Sequence, residues 1–279
     1  MEFGLVLFLT DETAGPLAIG RATEEAGLES LFVTEHTHIP VARTTPWAGG
    51  PELPREYART FDPFVALSTI AATTERLKVG TAVCLVVEHD PIILAKQVAS
   101  LDRLSGGRFV FGVGGGWNRE EMRNHGTDPA TRFALLRERV LAMQAIWTQE
   151  EASFHGDHVD FDPIWQWPKP VQQPYPPVLL GGDAPATLDR VLEFGDGWLP
   201  NTRDVDSLAP RITELRRRAE QTGRSRLSVT YYGAKRNDRF LEQLREAGVD
   251  RCLFVLPSTP AEQYLSDIQQ VGELAARHR

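Results

Sequence analysis

Apolar residues along this chain fall into two alternating rhythms. Short apolar runs at residues 2–9, 31–34, 77–83, 108–113, 178–180, 197–199, 227–232 and 252–256 read as strands buried on both faces. Between them, apolar residues recur at helical spacing. Leu94, Val98, Leu101 and Leu104 make one such stripe, and Leu208, Ile212 and Leu215 another. Leu241, Leu244 and Ala247 mark a third, and Tyr264, Ile268, Val271 and Leu274 a last one. Phe133, Leu136, Val140, Met143 and Trp147 form the longest stripe, which reads as a plain core-facing helix rather than a cofactor-binding feature. The punctuation agrees with the rhythm. Gly15-Pro16, Asp62-Pro63 and Asp90-Pro91 open helices, because proline suits the first turn and aspartate accepts from its free amides. Gly27, Gly106, Gly195, Gly223 and Gly248 close them.

Eight short strands separated by helices imply a parallel sheet covered by helices. At 279 residues that count favours one α/β domain, residues 1–279, folded as a closed (β/α)8 TIM barrel. Two insertions interrupt it. Residues 41–59, after the second strand, are rich in Pro, Gly and Arg without any period, and read as a long loop of the kind that forms lids. Residues 148–176, between the fourth helix and the fifth strand, hold a small β-excursion at 152–162 and a proline-rich connector. Trp47, Tyr57, Phe61 and Trp198 are candidate walls for an apolar or aromatic ligand.

Composition narrows the function classes. The chain is 42% hydrophobic and 24% charged, an ordinary globular balance. A net charge of −8 argues against nucleic-acid and anionic-membrane partners. No apolar run approaches the ~20 residues of a membrane span, and residues 1–9 lack the basic start of a signal peptide, so a cytoplasmic protein is expected. Cys84 and Cys252 sit in apolar runs and make neither a disulfide framework nor a metal motif. His155 and His158 share a turn but lack a third ligand at the usual spacing, so no metal is expected.

A barrel of this type does its chemistry at the carboxyl ends of its strands. That rule picks out Thr34-Glu35-His36, Ala82-Val83-Cys84, Gly114 to Asn118, Gly181-Gly182-Asp183 and the residues from Trp198 to Asn201. His36 is the only histidine directly at such an end, and imidazole suits proton transfer near neutrality. It is a candidate acid–base group; a ring that only bonds a loop carbonyl would occupy the same place. Glu35 beside it either orients that ring or points the other way, since successive strand residues face opposite sides. Gly181, Gly182, Asp183 and Ala184 lead into a helix, a site for a phosphate or simply a tight turn. Gly114, Gly115 and Gly116 lack dinucleotide-fingerprint spacing, but let something approach the main chain closely or let the chain turn sharply.

Several of these stretches, taken in order, resemble the luciferase-like monooxygenase superfamily, and most closely its branch of coenzyme F420-dependent oxidoreductases. They are Thr34-Glu35-His36-x-x-Ile39-Pro40, Gly80-Thr81-Ala82-Val83, Pro91-x-x-Leu94-Ala95-Lys96-Gln97 and Leu101-Asp102-x-Leu104-Ser105-Gly106-Gly107-Arg108. Gly112-Val113-Gly114-x-Gly116-Trp117-x-x-Glu120-Glu121, Lys169-Pro170-Val171-Gln172 and Gly181-Gly182 complete the series. The likeness runs from about Leu5 to Leu199 and is diffuse past residue 205.

The resemblance implies a deazaflavin or flavin lying across the carboxyl mouth. It implies a non-proline cis peptide at Ala82–Val83 against the back of the ring. Gly114, Gly115, Gly116, Trp117 and Asn118 would lie beside the cofactor, and Gly181, Gly182, Asp183 and Ala184 would hold its phosphate. His36 matches the histidine near the reactive ring face. The implied activity is F420-dependent hydride transfer to or from a small organic substrate. The alternative is an FMN-dependent monooxygenase supplied with reduced flavin by a separate reductase; a flavin-binding barrel without turnover is a third reading. A homodimer is also implied. Pro40 stands where enzymes acting on sugar phosphates often carry tryptophan, and Glu35 where many relatives have aspartate.

Overall fold

The computed structural model describes residues 1–278. Its strands, in chain order, are β1 (Glu2–Leu7), β2 (Ser30–Val33), β3 (Lys78–Thr81), β4 (Phe109–Val113), β5 (Ala152–His155), β6 (Asp160–Ile164), β7 (Val178–Gly181), β8 (Gly197–Leu199), β9 (Ser228–Tyr232) and β10 (Arg251–Val255). All but β5 and β6 join in parallel into one closed barrel, in the order β1-β10-β9-β8-β7-β4-β3-β2. The β5–β6 hairpin stands outside it, so the expected eight-stranded barrel and the β-excursion are both present.

Alternation along the strands divides the core in two. Val6, Phe32, Val110, Leu179, Leu199 and Leu253 belong to one apolar cluster, which we take as the barrel interior. Their neighbours Leu5, Leu31, Phe109, Val178, Trp198 and Phe254 belong to the larger cluster that includes the helices. The interior is tight. A Cβ at Gly80 would lie 2.4 Å from the Phe32 ring, so that glycine makes room for an aromatic layer.

The helices are α1 (Pro16–Glu25), α2 (Pro63–Ala71), α3 (Pro91–Leu104), α4 (Arg119–Asn124), α5 (Arg132–Thr148), α6 (Thr187–Phe194), α7 (Leu208–Gln221), α8 (Asp238–Glu246) and α9 (Ala261–Arg277). Capping follows the expected chemistry. Asp62 accepts from the Val65 amide at 2.9 Å, and Asp90 from the amides of Ile92 and Ile93 at 3.0 and 2.9 Å. No helix among the described residues is long and apolar enough to cross a membrane. Two departures from expectation lie at the mouth. Strands two and three end at Val33 and Thr81, because the residues beyond leave the ladder to build the site. The short α4, unforeseen, starts straight after the glycine triplet.

Several shared motifs turn out to brace the barrel. Asp102, fully buried on α3, accepts from the amides of Val171 and Gln172 at 2.7 and 3.0 Å. It also accepts from Gln172 Nε2 at 2.6 Å, which ties the proline-rich connector to α3. Arg108 donates to the carbonyls of Ala71, Leu77 and Ser105 and so closes the end of α2 against β3 and β4.

Candidate functional site

At the carboxyl end of the barrel lies a cavity of about 340 Å³, a volume suited to a small ligand or a cofactor ring. Ala82, Val83, Leu85 and Leu199 supply apolar lining; Thr34, Glu35, His36, Tyr57, Trp117, Phe133 and Tyr232 complete much of the rest. The peptide between Ala82 and Val83 is cis, as the motif predicts.

The glycines around the cavity have a packing reason. A Cβ at Gly114 would come within 2.7 Å of Val83 Cγ2, and one at Gly181 within 2.7 Å of Val83 Cγ1. Val83 is therefore wedged between two strand ends that must both be glycine. A Cβ at Gly115 would lie 3.1 Å from the Phe133 ring, and one at Gly116 would lie 3.0 Å from Met122 Cε. Gly116 also has φ +67°, a left-handed conformation that favours glycine. Protein side chains thus occupy the space beside each glycine, and backbone faces the cavity.

His36 is held from behind. Its Nδ1 lies 2.7 Å from Glu121 Oε2, and Glu121 Oε1 accepts from the Thr37 amide at 3.1 Å. Glu121 is fully buried. Trp117 Nε1 donates loosely to His36 Nε2 at 3.4 Å. A ring that accepts at Nε2 and faces a carboxylate at Nδ1 is the neutral Nδ1–H tautomer. The orienting carboxylate is therefore Glu121, not Glu35. Glu35 instead accepts from the Leu85 amide at 2.5 Å and pairs with His89 Nε2 at 2.8 Å. Both residues lie past the end of β2, where the chain has left the ladder, and their side chains part to different partners. In the sequence Glu121 stands out only as part of a motif. Its signal is an acidic residue buried in a helix just past the glycine loop, visible only once α4 is known.

A buried acidic layer lies beneath the mouth. Burial pushes Glu88 up to about 9, helped by the charges of Glu121 and then Glu35, so it is protonated near neutrality. Burial also works against ionised Glu35, but the His89 and Leu85 bonds outweigh it and leave its carboxyl below the usual range. For His89, burial likewise disfavours charge, and Glu35 overcomes it to raise the ring. Cys84 completes this group; burial first and Glu35 second push its thiol well up. Glu35, Cys84 and His89 stand close enough to share an ion. A protonated thiol and an already paired carboxylate instead account for the contact as hydrogen bonding.

The loop at residues 41–59 folds down onto the mouth. Trp47 Nε1 donates to Tyr57 Oη at 3.0 Å, and the Tyr57 ring sits 5.2 Å from His36 and 4.5 Å from Phe8. Thr44 and Thr45 hydroxyls both bond Glu120 at 2.6 Å, which fastens the loop to α4. Of the four candidate aromatic walls, Tyr57 lines the cavity and Trp47 an adjoining hollow. Phe61 is among neither set, and Trp198 is wholly buried in the helix-side core, with its Nε1 on the Gly182 carbonyl at 2.8 Å.

The predicted phosphate turn is split. Gly181 and Gly182 line the cavity; Asp183 and Ala184 stand beyond it. Gly182 has φ +123°, and its amide already donates to the Leu199 carbonyl at 3.3 Å. The Asp183 carboxylate is paired with Arg211, which offsets a charge that would repel phosphate. The amides of Asp183 and Ala184 have no partner among the described residues. Asn118 does not line the cavity. It is 1% exposed, and its side-chain amide meets no partner. His155, at the hairpin, pairs with Asp160 on the surface.

The sequence profile of luciferase-like monooxygenases matches residues 2–246. This chain belongs to that family. An uncharacterized protein of Mycobacterium tuberculosis is 42% identical over 277 residues, covering 98% of each chain. An FMNH2-dependent dimethylsulfone monooxygenase of Pseudomonas putida is 33% identical over 157 residues, covering 55% of this chain and 43% of its own. An F420-dependent secondary alcohol dehydrogenase, solved with an F420–acetone adduct, shares the fold at TM-score 0.77 and 18% identity, covering 98% of both chains. The proteins it resembles thus include one named for FMNH2 and one named for F420, and the chain is a member of the luciferase-like monooxygenase family of oxidoreductases.

Proposed function

We propose that this protein is an F420-dependent oxidoreductase that moves hydride between the deazaflavin and a small organic substrate, with His36 as the acid–base group. One observation carries the reading: a neutral histidine lines an apolar cavity at the strand ends and is gripped from behind by the buried Glu121 carboxylate. The cavity residues fit a flat ring. Val83 presses forward between Gly114 and Gly181 to make an apolar back wall, and Gly115, Gly116 and Trp117 border it. The unpartnered amides of Asp183 and Ala184, beside the Gly182 turn, would receive the phosphate.

When bound, a deazaflavin supplies hydride transfer and, with carbon in place of N5, disfavours reaction with oxygen. The chain supplies position and proton handling. His36 Nε2 takes the proton from a substrate hydroxyl, or returns it to a carbonyl oxygen, as charge develops there. Glu121 holds the ring in the tautomer that leaves Nε2 able to accept, and stabilises the cation that forms. Tyr57, Trp117 and the folded loop keep water from the reacting atoms.

The likeness to the dimethylsulfone enzyme supports a second reading, an FMN-dependent monooxygenase fed by a separate reductase. Calorimetric titration of the purified protein with F420 and with FMN separates the two. Tight binding of F420 with weak binding of FMN is expected, and the reverse would replace the first reading by the second. We also propose a homodimer. Val65, Ile93, Leu104, Trp165, Trp167 and Val171 are exposed apolar side chains on α2, α3 and the second insertion, a surface that a second copy would cover.

A further inference from the structure

The cavity is not the whole of the barrel mouth. A second hollow, of about 470 Å³, adjoins it between the folded loop at residues 41–59 and the turns that follow β8 and β9. The two spaces share Tyr57, Asn201 and Tyr232, so they meet at those three residues. Aromatic rings border the hollow: Trp47 and Tyr57 come from the loop, Tyr231 and Tyr232 from the end of β9. The hollow beyond Trp117 has a different character, with Arg119, Glu120, Arg123 and Arg132 in its walls.

The aromatic walls are fixed in place by their own contacts. Trp47 Nε1 donates to Tyr57 Oη at 3.0 Å, and the two rings meet edge to face with centroids 5.7 Å apart. A Cβ at Gly49 would lie 2.3 Å from Trp47 Cη2, so the indole rests on the backbone of its own loop. Tyr231 Oη donates to the Thr202 carbonyl at 2.7 Å. Tyr232 differs. Burial pushes its phenol well up, so it keeps its proton, and its hydroxyl meets no partner among the described residues. A free donor where the two spaces join suits a ligand oxygen. The Tyr57 ring stands 5.2 Å from His36, so a molecule lying over Tyr57 spans the hollow and the imidazole.

We propose that this hollow receives the side group of the substrate, and that the substrate is an alcohol, or the matching ketone, bearing an aromatic ring. The inference rests on the reading that a deazaflavin occupies the cavity against Val83, which leaves a second ligand little room there. Flat aromatic walls suit a planar apolar group, and the charged walls beyond Trp117 would lose hydration against one. The hydroxyl-bearing carbon then falls at the junction of the two spaces, beside His36 and Tyr232. In the oxidising direction its C–H gives hydride to the oxidised deazaflavin and its O–H gives the proton to His36 Nε2, which leaves an aryl ketone.

Turnover of 1-phenylethanol and of 2-propanol by the F420-loaded protein tests the assignment, in wild type, Trp47→Ala and Trp47→Phe. Wild type should favour the phenyl alcohol about tenfold or more in kcat/KM, as burial of one ring would give. The ratio should collapse to within about twofold in Trp47→Ala and survive in Trp47→Phe, which keeps the aromatic wall without the Tyr57 bond. Equal wild-type kcat/KM for the two alcohols, or a ratio unchanged in Trp47→Ala, would overturn the assignment. If neither alcohol reacts, the functional proposal fails separately, and the hollow is decided by binding alone. Nitrogen-15 NMR of the indole N–H groups in wild type, with Trp47 and Trp117 assigned from their phenylalanine variants, is then followed during titration with acetophenone and with acetone. Saturable movement of the Trp47 signal by acetophenone and not by acetone is the expected result. Movement at Trp117 alone, or no movement, would overturn the subsite.

Discussion

Replacing Glu121 by glutamine tests the central pair most sharply. Both groups that Glu121 meets are donors: the His36 Nδ1–H at 2.7 Å and the Thr37 amide at 3.1 Å. A carboxylate can accept both. A carboxamide has one oxygen, so its NH2 must face either the Thr37 amide or His36. Against the amide, two donors oppose each other. Against His36, the ring must turn into the Nε2–H tautomer to accept at Nδ1, and the nitrogen on the cavity side then carries a proton it should be ready to receive. The second arrangement keeps both Glu121 bonds and gives up only the loose Trp117 contact at 3.4 Å, and is therefore the expected one.

The loss includes a charge-assisted hydrogen bond of ~1.5–3 kcal/mol, or about 10- to 100-fold in rate. Inverting the tautomer adds to this, so turnover should fall about 10²- to 10³-fold. Affinity for the cofactor should change little, because Glu121 does not line the cavity. Stopped-flow absorbance of the cofactor gives the rate, and nitrogen NMR of the imidazole gives the tautomer. A Glu121→Gln variant that transfers hydride within twofold of wild type would refute the dyad. So would a slow variant whose ring stays in the Nδ1–H form.

His36→Ala should lower turnover ~10²- to 10⁴-fold with little change in cofactor affinity, and His36→Asn should be nearly as poor; an asparagine variant at the wild-type rate would leave His36 a positioning residue. Glu88 is raised in the fold from its ordinary 4.5 to about 9, so the native state holds an extra proton between those values and this group lowers stability as pH rises through that window. Glu88→Gln should remove that slope, at most ~1.4 kcal/mol per pH unit, and a denaturant-measured gain over wild type that did not grow from about pH 5 to about pH 8 would contradict it. Gly182→Leu forces a side chain onto φ +123° beside Thr187 and should weaken cofactor binding by at least ~1 kcal/mol in a folded protein; unchanged affinity would move the phosphate elsewhere. Ile93→Glu with Trp167→Glu should convert a dimer to monomers by analytical ultracentrifugation, and an unchanged sedimentation coefficient would exclude that face from the interface.

Periodicity made the barrel legible because it reports burial. Strand alternation and helical stripes both follow from which side chain must avoid water, and that requirement is written locally. The same local character explains what escaped. His36 and Glu121 are 85 positions apart and meet only because β2 and the turn after β4 open onto one mouth. Glu35, one residue from His36, looked the nearer partner, yet the loop past β2 turns it to Leu85 and His89 instead.

The glycines teach a related lesson. Read as a string, Gly114 to Gly116 announces an opening for a ligand. In the fold the space beside each is taken by Val83, Phe133 or Met122, and the opening is the cavity those side chains leave between them. Asp102 and Arg108, which carry much of the family likeness, serve to brace helices and connector rather than to meet a ligand. A motif marks a position where few residue types succeed, and tight packing imposes that condition as strictly as chemistry does. Chemistry shows itself where packing supplies no reason, as at the His36–Glu121 pair beside the cavity. Those are positions at which substitution should change turnover before it changes how well the protein folds.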